Sequence, residues 1–92
     1  MNMRIQQTAK FKKAYKKLHP NQRQELNKAL EGIIKNPAIG EQKKGDLSWL
    51  RVHKCKIIQQ LTLIGYQVDA GQLVLTFVAI GPHENFYRDL KT

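Results

Sequence analysis

Leu73-Val74-Leu75-Thr76-Phe77-Val78-Ala79-Ile80, followed at once by Gly81-Pro82-His83-Glu84-Asn85-Phe86-Tyr87-Arg88-Asp89-Leu90-Lys91, is the stretch that orders the rest of the chain. Its first part is almost entirely apolar, the pattern of an inner strand covered on both faces. Gly81-Pro82 is expected to end that strand, because proline has no N–H to give to a ladder. A histidine, two adjacent aromatics and an arginine then gather where the strand stops. Strand ends and the loops beyond them commonly hold binding and catalytic groups. A proton-transfer group, stacking surfaces and a phosphate-pairing cation are the parts needed to handle RNA.

Working back from this strand, Asp69-Ala70-Gly71-Gln72 reads as a hairpin turn. Gln59 to Val68, with Leu61, Thr62, Leu63, Ile64, Tyr66 and Val68, reads as the preceding strand, and Trp49 to Ile57 as the one before it. Ala38 to Ser48 is polar and contains glycine, and it is expected to be a loop. Further upstream the period changes from two to 3.6. Leu26, Ala29, Leu30, Ile33 and Ile34 form one helical stripe that starts after His19-Pro20-Asn21 and stops at Asn36-Pro37. Phe11, Ala14, Tyr15 and Leu18 form another. Almost nothing joins the two helices, which predicts an antiparallel hairpin. Met3 to Thr8 is a weaker candidate for a short opening strand. The expected architecture is α+β in a single domain over residues 1–92: an N-terminal helical hairpin packed on a small, mainly antiparallel sheet, with a terminal helical turn over Phe86 to Leu90.

The chain has 92 residues and a formal net charge of +9. Residues 1–19 carry six cations (Arg4, Lys10, Lys12, Lys13, Lys16 and Lys17) and no acid. On the first helix Lys12, Lys13, Lys16 and Lys17 fall opposite the apolar stripe, with Lys10 at its edge. With no acid at i±4 these cations repel one another, which favours an external polyanion; the alternative is a solvated helix back. Lys10, Lys13 and Lys17 are taken as phosphate contacts on this ground. Cys55 is the only cysteine, so no internal disulfide forms. No signal-peptide core and no bilayer-length apolar run is present, and the protein is expected to be cytoplasmic, with no membrane partner. One cysteine and three scattered histidines have no zinc-ligand spacing, and no phosphate-cradling glycine loop occurs, so neither metal nor cofactor is called for.

The order helix, helix, strand, strand, strand, the segment Leu50-Arg51-Val52-His53-Lys54, and the ending Gly81-Pro82-His83-Glu84-Asn85-Phe86-Tyr87 together resemble the RelE/ParE toxin superfamily of bacterial toxin–antitoxin systems. The ending looks like the G-x-H-x-x-[FL]-[YF] close of the RelE-like and YafQ-like messenger-RNA endonucleases. The resemblance implies a metal-independent endoribonuclease that cuts messenger RNA on the ribosome and is silenced by an acidic antitoxin protein. RelE itself uses mainly lysines and arginines with a terminal tyrosine, and YafQ-like members use histidines and an aspartate. This chain mixes the two sets and offers no match to that aspartate. ParE-type members share the fold and are thought to poison gyrase, so a gyrase-directed toxin is the alternative, and a non-catalytic basic RNA-binding module is a third.

In the implied reaction the ribose 2′-OH attacks the adjacent phosphorus, a base takes the 2′ proton, an acid protonates the departing 5′ oxygen, and cations hold the phosphate charge. His83 is the first candidate for acid or base and His53 the second. Arg51 and His53, two apart on a strand, share a face, and Arg51 would clamp the phosphate. Tyr87 could donate a proton. Phe86 and Tyr87 could stack on bases, with one of the two expected in the core instead, since adjacent aromatics rarely point the same way. Arg88 either pairs with phosphate or with Glu84 or Asp89. Lys54 and Lys56 have the opposite parity from Arg51 and are candidates for the phosphate path. The nuclease reading rests on one spatial expectation, that His53, His83 and Arg51 meet in a single solvent-open hollow.

Overall fold

The computed structural model describes residues 3–90; Lys91, the last residue of the closing segment, lies outside the described residues. The chain opens on strand β1 (Arg4–Gln7), continues through helices α1 (Ala9–Lys16) and α2 (Pro20–Lys35), and crosses to a two-residue strand β2 (Glu41–Gln42) flanked by single 3₁₀ turns at Pro37–Ile39 and Gly45–Leu47. Strands β3 (Arg51–Ile57), β4 (Gln60–Asp69) and β5 (Val74–Pro82) and helix α3 (His83–Leu90) follow. The five strands form one sheet in the order β1-β5-β4-β3-β2. β1 runs parallel to β5 and every other pairing is antiparallel.

The α+β class and the small sheet agree with the sequence reading, and three particulars do not. The helices do not stand at the N-terminus: a strand precedes them, and α1 lies against β5 and α2 against β3, so each helix is held by the sheet. The Ala38–Ser48 segment is not a plain loop, since Glu41 and Gln42 pair with Val52 and Arg51 to make an edge strand. Gly81-Pro82 does not end β5, because Leu63 and Thr62 of β4 still pair with Gly81 and Pro82. Proline is tolerated there because β1 stops at Gln7, level with Phe77, so that side of β5 has no strand for an N–H to serve.

Local chemistry sets the boundaries. Thr8 caps α1, its hydroxyl oxygen accepting from the Phe11 amide at 3.1 Å while its O–H donates to the Val78 carbonyl at 2.7 Å, so the cap also ties the helix to β5. At the start of α2 the His19 amide donates to Gln22 Oε1 at 2.8 Å, a reciprocal cap that makes His19 structural, as its place in the turn implies. The β4–β5 turn is fixed by the Gln72 amide donating to Asp69 Oδ1 at 3.1 Å.

Both faces of the sheet are buried, and they are unequal. The larger core lies under α1 and α2 and unites Phe11, Leu26, Ile33, Ile57, Ile64, Tyr66, Leu75 and Phe77. Phe11 stacks on Phe77 with ring centroids 5.4 Å apart. The smaller lies under α3 and unites Leu50, Val52, Leu63, Ala79 and Phe86. Among the described residues no helix is long and apolar enough to cross a membrane.

Candidate nucleic-acid interface

Strand alternation decides which side chains can work together. Arg51 pairs with Tyr66 and His53 with Ile64 across the β3–β4 ladder. Tyr66 and Ile64 belong to the core under the helices, so Arg51 and His53 point to the helical face. There Arg51 Nη1 donates to the Gly40 carbonyl at 2.7 Å and to the Ala38 carbonyl at 3.4 Å. The Tyr66 hydroxyl donates to the Pro37 carbonyl at 2.6 Å and accepts from the Gly40 amide at 2.8 Å. Burial pushes the Tyr66 phenol above its ordinary range, partly offset by the Gly40 N–H and the Arg51 charge. Guanidinium and phenol together tie down residues 37–40. Arg51 is therefore engaged with its own backbone. His53 is half-buried on the same face.

Val52, Lys54 and Lys56 take the opposite face, the one α3 covers. Lys54 pairs with Leu63 and Lys56 with Leu61, and Leu63 is buried beneath α3. Arg51 and His53 share a face, as alternation requires, but it is the helical face, where both are half-buried, while Lys54 and Lys56 on the other face are exposed; alternation alone does not say which side is wetter. The sheet stands between Arg51 and His53 on one side and α3, with His83, on the other. The expected meeting of two imidazoles and a guanidinium does not occur, and a nuclease site built on those three together is not what this fold holds.

The α3 face carries a different set. The helix begins at His83, directly after β5, and is anchored by Phe86, which is 2% exposed. Gly65 makes room for it: a Cβ there would lie 2.8 Å from Phe86 Cζ. Phe86 is thus core and cannot stack on bases, which corrects that assignment. Tyr87 is only half-buried, edge-on to Phe86 at 5.1 Å and to His83 at 6.3 Å between ring centroids. Lys43 Nζ stands 5.6 Å from the centre of the Tyr87 ring and 2.7 Å from Glu41 Oε1. The hydrogen bond that Lys43 donates to Glu41, and after it Tyr87, raise the Lys43 pKa; Lys43 lowers that of Glu41, with smaller help from Lys54 and Lys44. Lys54 and Lys56 are exposed. Residues from three segments, Lys43 after β2, Lys54 with Lys56 on β3, and His83 with Tyr87 on α3, thus line one face. Lys43 was not singled out in the sequence, since nothing near it except Glu41-x-Lys43 marks it.

The other candidates lie to the far side of α3. Lys10, Lys13 and Lys17 line a cleft of about 490 Å³ between α1 and α3, floored by Ala79 and Ile80. Lys10 Nζ donates to the Asp89 carbonyl at 2.5 Å and so pins the last turn of α3, while Lys13 and Lys17 remain on the rim. Arg88 donates to Asn85 Oδ1 at 2.5 Å within its own helix. α3 is flanked by lysines on both sides. Cys55 is half-buried on the helical face, and burial pushes its thiol pKa up. Among the described residues no cluster of three metal-ligating side chains forms.

Solved structures with this fold include the Escherichia coli RelBE toxin–antitoxin complex, with a TM-score of 0.71 and 21% identity over 88% of this chain and 96% of that one. The RelBE2 toxin–antitoxin complex of Mycobacterium tuberculosis gives 0.71 and 12% over 90% and 100%. The archaeal RelE–RelB complex of Pyrococcus horikoshii gives 0.62 and 16% over 89% and 96%. At these identities the likeness shows the fold alone. None of the curated proteins matches the chain. The profile of the ParE-like toxins of type II bacterial toxin–antitoxin systems matches residues 5–91, nearly the full length, and the chain belongs to that family.

Proposed function

We propose that this toxin is a cytoplasmic endoribonuclease that cuts messenger RNA on the ribosome from its α3 face. The observation that carries the reading is the contact of His83 with Tyr87 on the face that also holds Lys43, Lys54 and Lys56. His83 and Tyr87 form the proton-transfer pair: one takes the 2′ proton as the 2′ oxygen attacks phosphorus, the other protonates the departing 5′ oxygen. Lys54 and Lys56, with Lys43 beside the Tyr87 ring, hold the phosphate charge that builds at the transition state. Arg51 and His53 have no part in it, so the three-residue hollow expected from the sequence is given up and the site stands on the α3 face alone. Lys13 and Lys17 add salt-sensitive phosphate contacts to ribosomal RNA. An acidic antitoxin neutralises the basic surface, as the net charge of +9 favours.

Primer extension on messenger RNA with purified ribosomes tests this. Wild type should give discrete cuts and His83→Ala should not; an intact message with wild type sinks the nuclease reading. A gyrase-directed toxin is the second reading, favoured by the ParE-like family match and by the loss of Arg51 and His53 from the open face. A supercoiling assay separates the two, since only the gyrase reading predicts that purified toxin arrests supercoiling.

A further inference from the structure

Three of the six glycines have a steric or backbone reason in the fold, and Gly81 is the one in a strand without such a reason. Gly40 and Gly65 lie against Tyr66 and Phe86, where a Cβ would come within 2.5 and 2.8 Å of a ring. Gly45 has a left-handed backbone with φ of 69°. Gly81 is the next-to-last residue of β5, still paired with Leu63, with no left-handed φ, and a methyl group there would meet no atom within 4 Å. A glycine inside a strand weakens it, and where packing does not explain it, a close approach by a ligand or another backbone can.

The position of Gly81 identifies what approaches. It pairs with Leu63, which pairs with Lys54, so these three residues form one row on the α3 face. The next row holds Lys56 and Leu61, and continuing the β4–β5 register by one step brings His83 level with them. Lys54 is two strand spacings from Gly81, roughly 10 Å. Leu61 is 44% exposed although it is large and apolar. The result is a bare shelf of backbone and leucine, with ammonium groups on one side and the proposed proton-transfer pair on the other. A flat, uncharged ring carried on a phosphate chain fits that order of groups: the ring lies on the shelf, the phosphates reach the lysines, and the sugar comes to His83.

We infer that Gly81 and Leu61 form the seat of an unpaired nucleobase of single-stranded RNA, and that the missing side chain at Gly81 is what lets the base lie flat. This rests on the proposed nuclease reading and adds a specificity-determining element to it. A side chain at 81 lifts the base from the shelf without touching the protein.

The experiment compares wild type, Gly81→Ala and Gly81→Val, with Gly32→Ala on α2, another glycine with open space around it, as the control. Affinity for a short labelled, unstructured oligoribonucleotide is read by fluorescence anisotropy, affinity for inorganic polyphosphate by competition, and cutting by primer extension on ribosomes. Gly81→Val should weaken oligoribonucleotide binding by about tenfold or more, the scale of one lost base stack, with Gly81→Ala between it and wild type. Polyphosphate affinity should not change. Thermal midpoints of both variants should equal or exceed that of wild type, because each has fewer unfolded conformations to lose. Gly32→Ala should bind RNA as wild type does. Equal RNA binding and cutting by wild type and Gly81→Val overturns the inference, as does an equal loss toward polyphosphate. Base-dependent binding that is sensitive to position 81, on a protein that leaves messenger RNA intact, would uphold the seat and remove the nuclease reading. A wild type that binds neither oligoribonucleotide nor ribosome-held message removes both.

Discussion

The two faces of the sheet carry different loads. Under α1 and α2 the chain buries its larger core, and the polar groups there are turned inward to its own backbone: Arg51 and Tyr66 both serve residues 37–40. Under α3 a smaller core hangs on Phe86, and the polar groups around it face solvent. Residue type does not predict which role a side chain takes. Arg51 and Lys54 are both cations on β3, three positions apart, yet the first holds a turn and the second stands in solvent. The difference is the face, and the face follows from strand parity together with what covers each side.

This division can be broken by experiment. The largest effect belongs to the helical core: Phe77→Ala, which removes a stacked and buried ring, should cost about 3–5 kcal/mol in urea denaturation. Phe86→Ala should act locally, with amide exchange protection lost over residues 83–90 while the core under α1 and α2 keeps its protection. If Phe86→Ala unfolds the whole chain, the two faces are not separable.

Next in size is His83→Ala, expected to slow messenger cleavage by about 10²–10⁴-fold with stability changed by no more than about 0.5 kcal/mol. His53→Ala should leave the cutting rate near that of wild type. Equal losses from both at unchanged stability would place His53 in the reaction and contradict the split between faces. Tyr66→Phe should cost about 1–3 kcal/mol by leaving the buried Gly40 amide without a partner, and Arg51→Ala about 0.5–1.5 kcal/mol, since its acceptors are part-buried or exposed. Their double variant should cost less than the sum, because both serve the same segment.

The smallest effect is a pH slope. Burial raises the pKa of Tyr66 from its ordinary 10.0 and that of Cys55 from its ordinary 9.0, so the folded chain holds those protons to higher pH than the unfolded chain does. The unfolded state then binds fewer protons, and stability falls as pH rises through this range. The contribution is whole below each ordinary value and is lost on the alkaline side. Denaturation midpoints should drop above the ordinary values, 9.0 for the thiol and 10.0 for the phenol. Cys55→Ser should remove the first part of the slope and Tyr66→Phe the second.

Periodicity made much of this chain legible. The apolar run is an inner strand from Val74 on, with Leu73 left in the turn, the stripes through Phe11 and Leu26 are helices, and Asn36-Pro37 ends the second of them. The prediction that one of Phe86 and Tyr87 would be core also holds, because side chains one residue apart on a helix point in different directions. The strand at Glu41–Gln42 and the extension of β5 through Pro82 were not legible, since an edge pairing is supplied by a partner far away in sequence. Lys43 was missed for the same reason: its ring partner is 44 positions on.

The sequence by itself determined the elements, the basic charge and the shared parity of Arg51 with His53, because these depend only on neighbours along the chain. Tertiary structure alone decided which face of β3 is open, and with it that Lys54 and Lys56, not Arg51 and His53, share a surface with His83. The physical reason is that a strand alternates without a preferred side; the side is chosen when helices pack over one face and a single aromatic anchors α3 over the other.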